Sequence, residues 1–328
     1  MSHLSFKQQA HLLPEVPGVY LMKDHHGTVV YVGKAKNLRN RLSSYFRKNT
    51  QHASKIVRMV QQLASFETIV TDTELDALLL ECRLIQTYRP LYNRQMNAFE
   101  QYKYFSITLK QQQLTLAIVT LPTKENCFGP YPLSKQLHRV KASLEQIYGL
   151  NSTNYWQQDL LAAANTALSP TIAYHEILAA FTQQSQKPLL RLKSKMEQAA
   201  RQQAFERAQK LKQEWHFLSH FFRQQQRMNQ AVQNQWELLW LPAGSKIKYY
   251  LLYQGLVINS RLLTKQTFKK YTPEQLAQKI KPSALPTQIH QYSKEQIDFL
   301  NILYSYINRQ PECQLLALEQ KKTDSDLS

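Results

Sequence analysis

The chain has 328 residues, and its 41 lysine and arginine residues against 23 aspartate and glutamate residues give a net charge of +18. Such a surplus attracts polyanions and argues against an acidic metabolite as ligand, although a merely solvated basic surface gives the same count. The length predicts two or three domains. The chain shows neither an apolar run of about 18 residues nor a signal peptide, so we expect a cytoplasmic protein without a membrane span.

The first predicted elements are two strands within residues 17–33. Apolar and polar residues alternate there around a turn with aspartate and glycine, which predicts a β-hairpin. If its centre lies between the two histidines of the turn, Tyr20 faces Tyr31 and Gly18 faces Gly33. Glycine beside tyrosine leaves room next to each ring, so both phenols would project into one space. An aromatic pair that only stabilises the sheet explains the pattern as well.

A compact α/β (α+β) domain follows from the next elements. Apolar spacing, together with capping residues such as Asn37 and Thr73, predicts a helix, a second helix, a strand and a strongly apolar third helix. In chain order they occupy residues 37–46, 52–64, 66–73 and 73–90. With the hairpin they predict a mixed or antiparallel sheet flanked by helices, in a domain that ends near residue 97.

The rest of the chain predicts a connector, a helical pair and a small α+β domain. The connector has two strands and a helix from Ser134, followed by a polar stretch that is helical in pieces. The helical pair bends around residues 202–204, and the last domain has a three-stranded meander before helices that start at Thr272 and Ser293. The predicted divisions are residues 1–97, 98–187, 188–230, 231–316 and a disordered tail, 317–328.

A run of cations directly follows the second tyrosine of the hairpin. It contains Lys34, Lys36, Arg39 and Arg41. Guanidinium and ammonium groups suit a phosphate whose negative charge grows in a transition state. Beside such cations a phenol such as Tyr31 ionises more easily and can accept a proton. A charge run is often only a solvated face, which is the alternative for Lys36 and Arg39.

Glu81 is the most informative acidic residue of the sequence. Apolar residues cover both sides of its predicted helix, and burial of a carboxylate there costs free energy unless something compensates it. A metal ion or a cationic pocket would compensate, and so would an ordinary pair with an arginine. Asn93, just past the helix end, either supports such a site or closes a turn.

Six of these features, in order over about 80 residues, resemble the GIY-YIG nuclease domain of UvrC-like endonucleases. The resemblance implies a DNA phosphodiesterase that uses one divalent metal ion, Mg²⁺ or Mn²⁺. The features are the motifs GVY at 18–20 and YVGK at 31–34, the NLRNRL helix with Arg41, then Tyr45, the glutamate of LLLE at Glu81, and RPLYN at 89–93.

The resemblance also implies catalytic roles for five of these residues. Glu81 would hold the metal ion, and Tyr31 would act as general base. Tyr20 and Lys34 would orient or ionise the nucleophile. Arg41 would bind the scissile phosphate.

Five further residues are expected to act around that centre. By the same resemblance, Tyr45 would line the site and Asn93 would support the metal ion from its second coordination shell. Lys36, Arg39 and Arg47 would bind the DNA backbone with little sequence preference.

Residues 190–222 resemble the UVR motif, a helical hairpin that docks on the partner protein UvrB. Met196, Phe205 and Leu211 would contribute to the apolar seam that meets this partner. An internal helical pair within a core is the alternative, because a helical hairpin also buries such a seam against its own domain.

Two departures from UvrC shape the functional expectation. The chain lacks a cysteine cluster before the hairpin, so no iron–sulfur cluster or zinc is expected, and the region after residue 230 lacks the clustered carboxylates of a second nuclease. We therefore expect a short, Cho-like enzyme of nucleotide excision repair that nicks damaged double-stranded DNA once, 3′ of the lesion. The alternatives are an inactive DNA-binding adaptor and a structure-specific nuclease outside excision repair.

Overall fold

The computed structural model describes residues 4–47, 54–122, 126–150, 168–284 and 286–318. These residues divide into two compact units. The first unit comprises the described residues within 1–100, 234–290 and 295–328, and the second comprises those within 101–233 and 291–294. In these ranges every helix is too short or too polar to traverse a bilayer. The finer, five-part division expected from the sequence stays a prediction.

A three-stranded sheet with surrounding helices forms the N-terminal part of the first unit. Its elements are α1 (Phe6–His11), β1 (Gly18–Lys23), β2 (Val29–Ala35), α2 (Leu38–Tyr45), α3 (Ser54–Gln61), β3 (Ser65–Val70) and α4 (Glu74–Tyr88). The strands pair antiparallel in the spatial order β2–β1–β3. The predicted α/β class is confirmed, and α3 ends at Gln61, three residues before the predicted end at residue 64.

Capping side chains set the start of three of these helices. The side chain of Asn37 accepts a hydrogen bond from the Asn40 N–H at the start of α2, as predicted. Thr73 caps α4 in the same way. Helix α1 was not predicted, although Ser5 and Gln8 form a capping box at its start.

The predicted register of the first hairpin is wrong by two residues. Tyr20 lies opposite Gly33, Tyr31 lies opposite Met22, and Gly18 lies opposite Ala35. An irregularity in the pairing just after Met22, where Lys23 faces Val29, accounts for one residue of this difference. The other comes from the turn, which is centred on His26 because the Asp24 N–H donates to the Thr28 carbonyl. Because side chains alternate with a period of two, this shift keeps Tyr20 and Tyr31 on the same face of the sheet.

In its described residues, the second unit packs four helices on a three-stranded antiparallel sheet. Its elements are β4 (Lys103–Lys110), β5 (Gln113–Val119), β6 (Cys127–Tyr131), α5 (Ser134–Tyr148), α6 (Pro170–Phe181), α7 (Lys187–Arg201) and α8 (Phe205–Gln233), with strand order β5–β4–β6. Strand β6 was not predicted, because glycine and proline occupy two of its five positions and both are rare in strands. Residues 151–167 of the polar stretch lie outside the described residues.

The bend predicted at residues 202–204 separates α7 from α8. Gln203 adopts a positive φ of 58° there, which lets the chain reverse. Away from the bend, the pair is part of the core of the second unit. The two helices contribute Leu189, Leu192, Leu218 and Phe221 to the buried part of this core.

A four-stranded antiparallel sheet completes the first unit. The C-terminal elements are β7 (Trp236–Ala243), β8 (Lys246–Tyr253), β9 (Leu256–Thr264), α9 (Lys265–Phe268), α10 (Pro273–Ile280), α11 (Gln296–Arg309) and β10 (Gln314–Ala317), with strand order β10–β7–β8–β9. The predicted meander β7–β8–β9 is thus present. Its second turn has a positive φ at both Gln254 and Gly255, as two-residue hairpin turns of type I′ require.

Three details of this C-terminal part differ from the predictions. Helix α11 begins at Gln296, three residues after the start predicted at Ser293. Pro242, which the sequence predicts in the first turn of the meander, lies within β7. Strand β10 pairs with β7, so the boundary predicted after residue 316 falls inside a strand.

Helix α4 is covered on two sides within the first unit. One side, with Ala77 and Ile85, packs on apolar residues of β1 and β2. The other side, with Leu75, packs on Leu239 and Tyr250 of the C-terminal sheet and on α11. A helix that is apolar around most of its circumference is buried on most of it, which explains why so few positions of α4 are polar.

Polar side chains bind the start of α4 to strand β8. The buried Lys248 places its Nζ 2.6 Å from Asp72 Oδ2 and 3.8 Å from Asp76 Oδ2. The hydroxyl oxygens of Thr73 and Tyr250 lie 2.7 Å apart and share a hydrogen bond. The C-terminal sheet therefore fixes the end of α4 from which its acidic residues extend.

Candidate active site

A cleft of about 560 Å³ opens beside β2 and α2. It gathers six of the ten residues that the sequence predicted for catalysis and DNA contact, namely Tyr20, Tyr31, Lys34, Lys36, Arg41 and Glu81. Asn40 and Ser44 also line it and were not predicted. The sequence did offer an indication that they share the cleft: they lie four residues apart on the helix of Arg41, and such positions share a helix face.

Three phenols lie together in this part of the molecule. The hydroxyl oxygens of Tyr20 and Tyr45 are 2.7 Å apart, and the ring centroids of Tyr20 and Tyr31 are 6.1 Å apart. Burial raises the pKa of Tyr20 well above its usual value and raises the pKa of Tyr45 to about 12. Both therefore stay protonated at neutral pH. Tyr20 and the half-buried Tyr31 line the cleft.

Two glycines make the close packing of this region possible. A Cβ on Gly33 would overlap the hydroxyl oxygen of Tyr20 and lie 2.5 Å from its Cζ. A Cβ on Gly18 would lie 2.5 Å from the carbonyl oxygen of Ile69. The motifs GVY and YVGK thus need glycine for two different reasons. Gly33 leaves room for the ring of Tyr20, and Gly18 leaves room for the neighbouring backbone of β3.

Replacing Gly33 with alanine should lower the free energy of unfolding by about 1–3 kcal/mol, because the new methyl group overpacks against the Tyr20 ring. Urea denaturation measures this change. In a Tyr20→Leu background the same substitution should cost less, since the Tyr20 ring is then absent and only Tyr31 Cε1, 2.9 Å from the new Cβ, remains in its way. An equal cost in both backgrounds would contradict the assigned contact.

Arg41 is held at the cleft by two aromatic side chains. Its Nε donates to the Tyr20 hydroxyl at 3.2 Å, and its guanidinium carbon lies 5.0 Å from the centroid of the Tyr45 ring. A guanidinium group has five N–H donors in a planar fork. Because the hydrogen bond to Tyr20 uses one of them, the others can bind an anion in the cleft.

Glu81 brings a half-buried carboxylate to the cleft. Its Oε1 accepts a hydrogen bond from the Lys34 backbone N–H at 2.9 Å. Burial raises the pKa of Glu81, and the Lys34 N–H, the Lys34 ammonium and Arg41 oppose that rise. Among the described residues no arginine forms an ion pair with Glu81, and Oε2 receives no hydrogen bond from them. That oxygen can therefore bind a cation.

Glu74 is a second carboxylate near the cleft, and it was not predicted. Its two carboxylate oxygens lie 2.6 Å from Lys34 Nζ and 2.8 Å from Lys36 Nζ. Burial alone would raise the pKa of Glu74, but the two ammonium groups outweigh it and lower the pKa. The sequence did offer an indication that Glu74 lies near the cleft, because it precedes Glu81 by seven residues and so shares its helix face. Glu74 thus anchors both lysines to α4.

Asn93 binds the backbone of β2 and does not line the cleft. Its Oδ1 accepts from the Val32 N–H at 3.0 Å, and its Nδ2 donates to the Val32 carbonyl at 2.9 Å. This pairing fixes the strand segment between Tyr31 and Gly33. The support of a metal ion expected for Asn93 stays a prediction.

Arg39 and Arg47 also lie outside the residues that line the cleft. Arg39 pairs with Glu15 at 2.6 Å and donates to the Leu13 carbonyl at 2.7 Å, so it ties α2 to the segment before β1. Arg47 is exposed just beyond α2. Their DNA contacts stay predictions.

The three residues predicted to meet a partner lie at or near the bend of the α7–α8 hairpin. Phe205, the first residue of α8, exposes 69% of its surface. Met196 and Leu211 are half-buried, and Leu211 packs against the core of the second unit. The seam is therefore internal over most of the hairpin and open at its tip.

Two family models match separate parts of the chain. The UvrC-like GIY-YIG domain matches residues 16–94, and the UvrB/UvrC motif, UVR, matches residues 186–214. The first range includes every residue of the cleft. The second includes α7 and the start of α8, at the place predicted from the sequence.

Curated relatives are UvrABC system proteins C. One from Symbiobacterium thermophilum is 34% identical over 64% of this chain and 36% of its own length. One from Clostridium novyi is 39% identical over 45% of this chain and 24% of its own length. The alignments thus span about a third or less of these relatives.

A solved structure of similar sequence is the GIY-YIG N-terminal endonuclease domain of UvrC from Thermotoga maritima, bound to magnesium as its catalytic divalent cation. The identity is 43%, and the match covers 27% of this chain and 96% of that chain, with a TM-score of 0.25.

Proposed function

We propose, from the premise that residues 16–94 are a UvrC-like GIY-YIG endonuclease domain and residues 186–214 a UVR motif, that this protein is a DNA-repair endonuclease. It would cut one strand of damaged duplex DNA once, on the 3′ side of the lesion, in nucleotide excision repair. The observation that carries the proposal is the convergence of Tyr31, Arg41 and Glu81 in one cleft.

Glu81 fits a divalent metal ion, and we assign Mg²⁺ or Mn²⁺ to it. Mg²⁺ binds proteins through one or two carboxylates and takes its other ligands from water and substrate phosphates. The half-buried carboxylate with one oxygen open to the cleft meets this need. When bound, the metal ion would stabilise the negative charge that grows on the phosphate.

The three phenols divide the remaining work by their burial. Tyr31 reaches the cleft and would accept the proton of the attacking water. Tyr20 and Tyr45, whose pKa values burial raises, would keep their protons and hold Arg41. Arg41 would then bind the scissile phosphate through its remaining N–H groups.

Two further groups would keep this arrangement in place. Lys34 supplies the backbone N–H that orients Glu81, and its ammonium group is held by Glu74. Asn93 would act on the site through β2, because its amide is paired with the Val32 backbone. Lys36 at the rim would contact the DNA backbone.

The hairpin tip supports a partner of the UvrB kind. Phe205 is an exposed aromatic side chain at the tip of the hairpin, and aromatic side chains are frequent anchors at protein interfaces. It lies within the range that the UVR model matches. We propose that Phe205, with Met196 and Leu211 beside it, meets UvrB.

The test is a nicking assay on a duplex with one defined lesion, labelled at the 5′ end of the damaged strand, with Mg²⁺ and with or without UvrB. We expect a single cut 3′ of the lesion that UvrB stimulates. Phe205→Ser should remove the stimulation and leave any UvrB-independent cutting unchanged.

Three other results would contradict this proposal in different ways. Cutting of undamaged branched DNA in preference to the lesion would indicate a structure-specific nuclease. DNA binding without a cut under any metal condition would indicate an inactive adaptor. Stimulation that survives Phe205→Ser would move the UvrB contact away from the hairpin tip.

A further inference from the structure

We propose that one end of the C-terminal sheet is a second DNA-backbone site that continues the surface of the cleft. This basic end consists of Lys246, Lys265, Lys269 and Lys270. Its ligand class, the phosphodiester backbone of duplex DNA, rests on the proposed function. Neither family model covers this part of the chain.

The basic end carries cations without matching anions. Between residues 236 and 281 the sequence has eight lysine and arginine residues and only two carboxylates, Glu237 and Glu274. Glu237 is buried and bonded to Asn234 and Tyr304, so it offers no charge to the surface. All four lysines of the basic end are exposed, and in the described part of the chain none of them forms an ion pair.

The fold brings these four lysines to the same end of the sheet. Lys246, at the start of β8, pairs with Thr264 at the end of β9, and α9 begins directly afterwards with Lys265. Phe268 secures α9, because its ring lies 6.2 Å from that of Tyr249 on β8. Like charges four residues apart on a helical turn, as at Lys265 and Lys269, repel one another, and a bound anion relieves that repulsion.

Strand pairing places Lys246 of the basic end on the side of the C-terminal sheet that faces α4, whereas α9 packs on the other side through Phe268. Ala35 at the end of β2 and Val70 at the end of β3 both pair with Gly18, so these two strand positions lie about 10 Å apart at the end of the sheet from which Lys36 and Asp72 follow. Asp72 binds Lys248. Lys246 lies two residues before Lys248 and therefore on the same face of β8.

The chemistry of the patch favours a DNA backbone over an acidic polypeptide. Exposed lysines are flexible point charges, which suit the regularly spaced phosphates of duplex DNA and read no sequence. The one aromatic ring of α9, that of Phe268, packs against the core of the C-terminal sheet and is not offered to a peptide. A duplex engaged at the cleft would thus be held along its flank.

The experiment compares two triple variants of the full chain in DNA-binding titrations. Lys265→Gln/Lys269→Gln/Lys270→Gln removes three of the four lysines of the basic end, and Lys7→Gln/Lys110→Gln/Lys135→Gln removes three exposed lysines scattered elsewhere. Binding to an undamaged duplex of about 25 base pairs, roughly 85 Å long, is measured in EDTA across a series of salt concentrations. Thermal unfolding of each variant confirms that the fold is retained.

The basic-end variant should bind at least about tenfold more weakly at ~0.1 M salt, and the slope of log K against log salt should fall by about 3. The scattered variant should keep a slope near that of the wild type. On a duplex of about 8 base pairs, which fills little more than the cleft, wild type and basic-end variant should differ much less.

Equal slopes in the two triple variants would overturn the proposal, because only the total charge would then matter. A basic-end variant that loses affinity for polyglutamate and not for DNA would overturn it in favour of an acidic protein. The readout is independent of cutting, so a chain that never nicks DNA but shows the slope difference would refute the proposed function and keep the site.

Discussion

Replacing Glu81 with glutamine should lower metal-dependent incision about a thousandfold or more, while DNA affinity stays near that of the wild type. Glutamine keeps the size of the side chain and can still accept the Lys34 N–H, but its neutral amide is a poor ligand for a divalent cation. Loss of the metal ion removes several kcal/mol of stabilisation from the transition state, and each 1.36 kcal/mol is a factor of ten.

Single-turnover cleavage over a Mg²⁺ titration measures this effect. Glu67→Gln is the matched control, because Glu67 is an exposed carboxylate that pairs with Lys23 and does not line the cleft. Glu81→Asp should recover part of the activity and need more Mg²⁺. Incision by Glu81→Gln within tenfold of the wild type would show that Glu81 does not hold the metal ion.

Replacing Tyr31 with phenylalanine should lower the single-turnover rate by about 10²–10⁴, the usual contribution of a positioned proton acceptor. The ring remains, so its contact with Tyr20 and the free energy of unfolding should change little. DNA affinity should also stay close to that of the wild type, because we propose that Arg41 and not Tyr31 holds the phosphate.

The other two phenols give the decisive contrast. Tyr20→Phe and Tyr45→Phe remove hydroxyls that hold Arg41 or each other, so they should weaken binding of the DNA more than Tyr31→Phe does and slow the chemical step less. Tyr88→Phe, at an exposed position, controls for loss of a phenol. A larger loss of rate in Tyr20→Phe than in Tyr31→Phe would show that Tyr31 is not the proton acceptor.

Local patterns in the sequence predicted most of the helices and the strands that adjoin clear turns. Asn37 and Thr73 cap their helices as their positions indicate, and the bend at Gln203 was predicted to within its three residues. These features depend on a few neighbouring residues. The same local character let the motifs predict which residues share the cleft.

The features that the sequence did not predict correctly depend on contacts with residues that are distant in the chain. The hairpin register depends on a pairing irregularity that alternation of side chains does not reveal. Strand β10 has only four residues and exists because the edge of β7 is available to pair with it. Glu74 reads as an ordinary first-turn acid until the fold brings Lys34 and Lys36 to it.

Asn93 shows what a motif can predict about a residue and what it cannot. The sequence predicted that it belongs to the site, but only the fold shows that its amide is used up by the Val32 backbone. A motif identifies the members of a site, whereas the contact that each member makes depends on backbone groups that the motif does not contain.

Helix α4 belongs to two sheets at once, and this limits how the nuclease part can be separated from the rest of the chain. A fragment that ended after α4 would bare the leucines that now meet Leu239 and Tyr250, and would lose the Lys248 contacts at the start of the helix. Such a newly bared apolar face invites aggregation. The helix that carries Glu81 therefore takes part of its cover from the C-terminal sheet, and substitutions in that sheet would bear on the proposed reaction without touching its cleft.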